Sequence, residues 1–230
     1  MTKRSIKEWI VRSVILLVGL TIAHLGVTLF LLSDLGSDPF NVLVQGIFRQ
    51  LGKISFLGFL THGQTHIAIS VVIILVLLIV DRSYIKIGTL ICMLLGGPII
   101  DFFTWLLQLV LPADLSLVWR IVMLVLGCVI LAYGMTIVIK SDAGTGPNDL
   151  VAVVISDKTK IKFWIMRLIV DAVFAGLGFL LGGTVGAGTI VCIALVGPVA
   201  GIFLPINGKM VQKILSKLQI SDAADEERQA

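Results

Sequence analysis

The sequence predicts an all-α polytopic membrane protein with six transmembrane helices, arranged as two inverted three-helix repeats with short interfacial or re-entrant helices. Two observations lead to this fold class. Of the 230 residues, 57% are hydrophobic and 14% are charged, whereas about a quarter of the residues in soluble domains are charged. In addition, the motif Ser-Asp-x-Gly-Ser/Thr-x-Pro occurs twice, at residues 33–39 and at residues 141–147.

Six apolar stretches are long enough to cross a bilayer, which takes about 20 residues of helix. They cover residues 10–32, 64–80, 87–109, 117–139, 162–181 and 187–206. Basic residues near the span ends concentrate on the side that holds the N-terminus, and this side is the cytoplasm by the positive-inside rule. We therefore expect a multi-pass protein with both termini in the cytoplasm.

The two halves of the chain align with each other. An offset of 108 residues superposes Arg12 on Arg120 and one Ser-Asp-x-Gly motif on the other, and an offset of 100 superposes residues 88–98 on residues 188–198. Each half holds three spans, an odd number, so the second copy enters the membrane from the opposite side, as in many secondary transporters. The chain then divides into a first repeat, an inverted second repeat and a C-terminal segment: residues 1–110, 111–207 and 208–230.

Each Ser-Asp-x-Gly motif predicts the end of one helix and the start of another. Its glycine permits a positive φ angle, and the residues that follow suit a helix cap and a first turn. The new helices, PFNVLVQGIFRQLG and PNDLVAVVISD, are too short to cross the bilayer. Their free N–H groups can hold an anion, and the aspartates a cation or proton, although capping alone explains the same residues. The motif residues that we assign to a substrate site are Asp34, Gly36, Ser37, Asp142, Gly144 and Thr145.

A Gly-Pro pair lies near the middle of the third span and of the sixth span, at Gly97-Pro98 and Gly197-Pro198. Proline inside a helix removes a hydrogen bond and clashes with the preceding turn, so both spans should kink or break. Matched interruptions in two halves indicate a binding site at the midplane, and close packing of helices is the alternative explanation. We add these four residues to the predicted substrate site.

Ionisable residues within spans cost a few kcal/mol and are candidates for substrate or proton paths. Asp101 has no partner nearby in the sequence, which makes it the first candidate for proton coupling. Asp171 is the second candidate, but its spacing from Arg167 also fits an internal ion pair. His62 and His66 lack a third metal ligand, so we expect neither a metal nor another cofactor.

The C-terminal segment carries lysines on one side and apolar residues on the other, followed by an acidic tail. This pattern predicts an amphipathic helix on the inner leaflet, where lysines attract anionic lipid. No set of nucleophile, base and orienting residue is evident, so we do not expect an enzyme. We expect no nucleic-acid partner, and a homo-oligomer is compatible with the sequence.

Several motifs of the second half occur in a characteristic order: GPND from residue 146, LGGTVGAGT from residue 181, and Gly197-Pro198. In this order they resemble the bacterial YczE/YyaS/YitT group of membrane proteins, most closely its YczE-like branch. The first half matches less well, with SDPF in place of GPND. The resemblance implies a small polytopic protein of the bacterial inner membrane, and it brings no substrate or functional residues.

The leading functional hypothesis is a secondary-transporter-like permease for a small solute. Its site would lie at the midplane, between the broken helices of the two repeats, and one repeat would rock against the other. Two other classes stay open. One is a solute or ion channel, in which the short helices line a pore, and the other is a membrane scaffold or regulatory partner that transports nothing.

Overall fold

The structure is a computed structural model that describes residues 5–53, 62–112 and 114–218, and all regular elements in these ranges are helical. A 3₁₀ turn at Arg82–Tyr84 joins α3 to α4. The α-helices in chain order are α1 (Ile6–Leu32), α2 (Pro39–Leu51), α3 (His62–Asp81), α4 (Ile87–Gln108), α5 (Leu117–Ser141), α6 (Pro147–Thr159), α7 (Phe163–Leu180) and α8 (Ala187–Lys217).

Six of these helices are long and apolar enough to span a membrane, namely α1, α3, α4, α5, α7 and α8. The predicted all-α class with six spans is therefore confirmed. The other two, α2 and α6, follow the two Ser-Asp-x-Gly motifs and have 13 residues each. At 1.5 Å per residue they are about 20 Å long, which is less than the hydrocarbon core of about 30 Å.

The helices α1 and α5 pack along their whole length and form the centre of the bundle. Arg12, near the start of α1, donates a 3.1 Å hydrogen bond to the carbonyl of Ser141 at the end of α5. Asp34, just after α1, pairs at 3.0 Å with Arg120 near the start of α5. The two helices therefore run antiparallel. They are equivalent in the sequence repeat, so this is the crossing that inverted copies require, while the inversion of the complete repeats stays a prediction.

Glycines allow α1 and α5 to approach closely. A Cβ atom added to Gly26 would overlap the backbone of Leu131, and one added to Gly134 would overlap the backbone of Ala23. Gly26 and Gly134 are equivalent positions of the repeat. Small residues of this kind let membrane helices come into contact through their backbones, so the central pair depends on them.

The two Gly-Pro pairs do not interrupt their helices. Both α4 and α8 remain helical through Pro98 and Pro198, so the predicted break is wrong, while a kink at either proline stays a prediction. A proline costs a helix one hydrogen bond, whereas a break in an apolar environment would leave several backbone groups without partners. Continuity is therefore the less costly arrangement, and a site between broken helices is not the one that the structure offers.

The C-terminal segment continues the sixth span. Residues 208–217 are the last turns of α8, which also passes through Pro205. Two of its apolar residues, Val211 and Leu215, pack against Ile15 and Ile137 in a buried cluster. Part of the apolar side predicted to rest on lipid therefore faces the protein. Contact of this segment with anionic lipid stays a prediction, and the acidic tail lies outside the described residues.

Candidate functional site

A cavity of about 500 Å³, which we call the central cavity, lies between the helices and is open on the side of α4, where its lining residues Gly97, Pro98 and Asp101 are exposed. Residues of all eight α-helices or of the turns that lead into them line it. This volume is within the range of roughly 300–1,000 Å³ that is typical of small-molecule sites. Much of the wall is apolar: Leu20, Ala23, Val27, Phe30, Phe40, Leu131 and Met135. The polar groups come mainly from the first turns of α2 and α6, from single positions on α1, α4 and α7, and from two positions on α3.

Both short helices begin at this cavity. Asp38 is the N-cap of α2, where its carboxylate accepts a 3.1 Å hydrogen bond from the backbone N–H of Asn41. Gly146 is the N-cap of α6 and provides no side-chain cap. Asp38, Asn41 and Gly146 all line the cavity. The N-terminal ends of the two helices, which carry partial positive charge, therefore lie at the same site.

Arg167 is a buried cation of this site and ties α6 to α7. Its Nε donates a 2.9 Å hydrogen bond to Asp171, one turn along α7, and its Nη1 donates to Asp149 in the first turn of α6. The side chains of Arg167 and Asp171 are 7% and 1% exposed. The ion pair expected from their spacing is therefore formed. A role of Asp171 in proton coupling stays a prediction.

Three of the predicted site residues line the cavity from α4, namely Gly97, Pro98 and Asp101. No atom outside its own helix lies within 4 Å of a Cβ built on Gly97, so the wall is open at this point. The carboxylate of Asp101 has no ion pair or hydrogen bond with any residue that the structure describes. Asp101 is therefore an exposed carboxylate at the open side of the cavity, without a partner among the described residues.

A second cavity, of about 470 Å³, lies at the end of the bundle that holds Asp142, which we call the Asp142 end. Asp142, Gly144 and Thr145, all predicted site residues, line it together with Lys86, whose ammonium group bonds the Asp142 carboxylate. The Thr145 hydroxyl is buried and has no hydrogen-bond partner in the part of the chain that the structure describes. Because Gly146 and Pro147 line the central cavity, the segment 144–147 lies between the two cavities.

The first Ser-Asp-x-Gly motif lies at the opposite end of α1, which we call the Asp34 end, and it is closely packed. The hydroxyl of Thr189 donates a 2.6 Å hydrogen bond to the carbonyl of Ser37, and the N–H of Gly188 donates one of 2.8 Å to the carbonyl of Leu35. A Cβ on Gly36 would lie 2.9 Å from Thr189 Oγ1. The predicted site residues of this motif, Asp34, Gly36 and Ser37, therefore line neither of the two cavities, whereas its Asp38 lines the central one.

The backbone of both motifs has the predicted left-handed conformation. Gly36 and Gly144 have φ angles of 146° and 138°, which L side chains rarely adopt. The preceding aspartates, Asp34 and Asp142, also have positive φ angles, of 52° and 56°. Short polar residues tolerate this region better than others, and the sequence reasoning had not foreseen it at these positions.

The structure thus divides the predicted site residues into three groups. Gly97, Pro98 and Asp101 line the central cavity, and Asp142, Gly144 and Thr145 line the second one. The remaining six, which line neither cavity, are Asp34, Gly36, Ser37, Asp171, Gly197 and Pro198.

The site that we assign from the sequence leaves out several polar residues of the central cavity. They are His24, Asp38, Asn41, Ser70, Asn148 and Asp149. A signal was present for two of them, because the offset of 108 residues superposes Asn41 on Asp149 just after the two prolines. His24 and Ser70 stand singly in apolar spans, where a polar residue is equally compatible with helix packing.

Comparison with known proteins places the chain in a family. The model of a family of unknown function, DUF6198, matches residues 10–205. The chain belongs to the DUF6198 family. The matched region runs from the first turns of α1 to Pro205 in α8 and contains both cavities. All residues that line the two cavities of this DUF6198 protein therefore belong to the region that the family model matches.

The curated relatives of this DUF6198 protein include two from Bacillus subtilis (strain 168). The uncharacterized membrane protein YczE is 31% identical over 202 residues, which is 86% of this chain and 88% of the relative. The uncharacterized protein YyaS is 27% identical over 189 residues, or 82% and 90%. An uncharacterized protein of Haemophilus influenzae is 30% identical over 196 residues, or 85% and 84%. These matches confirm the predicted YczE-like membership, and no solved structure matches the chain significantly.

Proposed function

We propose that this DUF6198 protein is a permease that carries a small solute across the bacterial inner membrane by alternating access. The observation that carries the proposal is the central cavity at which α2 and α6 both begin. In secondary transporters built from inverted repeats, helix ends of equivalent segments meet at a solute site between the repeats. The antiparallel crossing of α1 and α5 supports the same architecture.

A difference between the two ends of the bundle supports a carrier mechanism. At the Asp34 end, hydrogen bonds from α8 close over the first motif, and Asp34 pairs with Arg120. The equivalent motif at the Asp142 end is also tied, by the backbone hydrogen bond from Gly88 to Ala143 and by Lys86, but it lines a cavity, and its Thr145 hydroxyl has no partner among the described residues. We therefore assign a closed gate to the Asp34 end and the gate that opens first to segment 144–147, which lies between the two cavities.

In this proposal a solute moves between the second cavity and the central cavity when segment 144–147 shifts. The Asp142 end would face the cytoplasm, because the basic residues near the span ends concentrate on this side of the membrane in the predicted topology. Opening of the Asp34 end would require the Thr189–Ser37 hydrogen bond and the Arg120–Asp34 ion pair to separate. Rocking of one repeat against the other would do this, since each of these contacts joins two different repeats.

A reversible bridge across the Asp34 end tests the proposal. In a background with Cys92, Cys128 and Cys192 replaced by alanine, Asp34→Cys and Arg120→Cys are joined by a cleavable thiol cross-linker. Uptake of labelled amines, carboxylates, amino acids and sugars is then measured in proteoliposomes. We expect the bridge to abolish uptake of the transported solute and a reductant to restore it.

The matched control carries Gln50→Cys and Lys53→Cys, whose native side chains lie 3.1 Å apart near the end of α2. A bridge at these positions lies within one short segment and should leave uptake intact. Full uptake with the Asp34–Arg120 bridge in place would contradict alternating access. Single-channel currents in planar bilayers would instead favour the channel hypothesis.

A further inference from the structure

We infer that the central cavity recognises a small organic cation, with an ammonium group on an apolar body. The inference rests on the proposed function, because it names the chemical class of the solute. Its starting point is the charge of the site. Asp38, Asp101 and Asp149 line the cavity, and Asp171 lies behind Arg167 in the same electrostatic network.

Carboxylates outnumber the cationic groups of this site. Arg167 contributes one positive charge, and the N-terminal ends of α2 and α6 contribute about half a charge each. Against four carboxylates, this leaves an excess of about two negative charges. His24 and His66 also line the cavity and reduce the excess when they are protonated. A cavity of this charge attracts a cation and repels an anion.

Two oxygen groups of the cavity lack partners among the described residues, and both suit a donor ligand. The Asp101 carboxylate is one of them. The second is the hydroxyl of Ser70 on α3, whose residue is 1% exposed and which forms no hydrogen bond within the described ranges. A hydroxyl that is shielded from water and has no partner is unfavourable, so a ligand N–H at this point would supply the missing hydrogen bond.

The rest of the wall distinguishes an organic cation from a metal ion. Within the described residues no group of three or more His, Cys, Asp or Glu side chains is placed to hold a metal. Large apolar side chains, among them Phe30, Leu131 and Met135, line the cavity instead. Phe40 adds an aromatic ring, and such rings attract ammonium groups. An alkyl or aryl ammonium ion matches both parts of this surface.

Ligand binding to the purified full-length protein tests the inference without any transport assay. The probes are butylammonium, 1,4-diaminobutane and tetraethylammonium, with butyrate and 1-butanol as matched anionic and neutral compounds. A ligand that binds the folded state raises the unfolding temperature with the logarithm of its concentration. We expect at least one ammonium probe to do so, and butyrate and butanol to have no comparable effect.

Three variants locate the binding. Asp101→Asn and Asp38→Asn should each weaken the affinity for the ammonium probe at least tenfold, and asparagine retains the ability of residue 38 to cap α2. Asp114→Asn is the control, because Asp114 is exposed in the α4–α5 connection and does not line the cavity. The unfolding temperature without probe shows that each variant is folded.

The inference is overturned if none of the ammonium probes raises the unfolding temperature, if butyrate raises it as much, or if the cavity variants bind as the control does. These outcomes are separate from the fate of the permease. Ammonium binding without uptake in proteoliposomes would contradict transport and keep the cation site. Uptake of an anionic solute without ammonium binding would contradict the cation site and keep the permease.

Discussion

The hydroxyl of Thr189 donates a 2.6 Å hydrogen bond to the carbonyl of Ser37 and joins α8 to the first Ser-Asp-x-Gly motif. In the sequence repeat, Thr89 is equivalent to Thr189 and Thr145 is equivalent to Ser37. There the Thr89 hydroxyl lies 3.5 Å from the backbone nitrogen of Lys86, and no such bond to Thr145 forms. The two motifs therefore differ in this side-chain hydrogen bond, whereas the backbone bond from Gly188 to Leu35 has its equivalent in the bond from Gly88 to Ala143.

Thr189→Val should loosen the Asp34 end. The change preserves the shape of the side chain but leaves the Ser37 carbonyl without its donor and the Gly186 N–H without its acceptor, at a cost of about 1 kcal/mol for each hydrogen bond. We expect faster hydrogen–deuterium exchange in residues 34–42 and a small loss of thermal stability. The matched control is Thr21→Val, because the Thr21 hydroxyl bonds the carbonyl of Leu17 in its own helix. Equal exchange in the two variants would show that the bond does not hold this end closed.

Arg167→Leu should be strongly destabilising. The change leaves the carboxylates of Asp149 and Asp171 without their cation, and removal of one partner from a buried ion pair costs about 3–5 kcal/mol. Denaturation of the purified protein in detergent would measure the loss. Arg82→Leu serves as the control, since Arg82 is exposed.

The double variant Arg167→Leu/Asp171→Leu separates the loss of the pair from the burial of an unpaired charge. The double variant should recover part of the stability, because the buried carboxylate of Asp171 is removed together with its cation. An additive loss in the double variant would mean that Arg167 and Asp171 do not stabilise each other.

Gly26→Ala and Gly176→Ala should have opposite effects on stability. Alanine favours a helix by about 1 kcal/mol over glycine, and nothing lies within 4 Å of a Cβ built on Gly176. At Gly26 the same methyl group would overlap the backbone of α5, and overpacking of this kind costs about 1–3 kcal/mol. Thermal unfolding should therefore fall for Gly26→Ala and rise for Gly176→Ala. A rise in both would show that α1 and α5 are not in backbone contact.

Hydropathy and the repeat were sufficient to predict the spans, because a bilayer imposes a minimum length on every apolar helix. Motif chemistry also predicted where α2 and α6 begin, since glycine and proline have few other uses at such positions. The outcome at Pro98 and Pro198 was different. Local rules favoured a break there, but in an apolar environment the neighbouring backbone hydrogen bonds are too costly to lose.

The position of the site was only partly predictable. The sequence indicated the two motifs and Asp101, and the structure places the second motif and Asp101 at cavities. The first motif is covered by Thr189, a contact between residues that are 152 positions apart in the chain. Contacts at such separations depend on how helices pack. Symmetry of the sequence predicts equivalent motifs, and it does not predict which of them is closed.

Asp101→Asn should remove proton coupling if the permease uses this carboxylate. An amide cannot take up a proton, so a pH gradient should no longer accelerate uptake in proteoliposomes, while exchange of solute without a gradient should continue at a weakened affinity. Asp114→Asn, at an exposed position outside the cavity, should respond to the gradient as the native protein does. Full gradient-driven uptake by Asp101→Asn would exclude Asp101 as the proton carrier. Asp171 would then be the remaining candidate, and its Oδ2 accepts a hydrogen bond from Arg167.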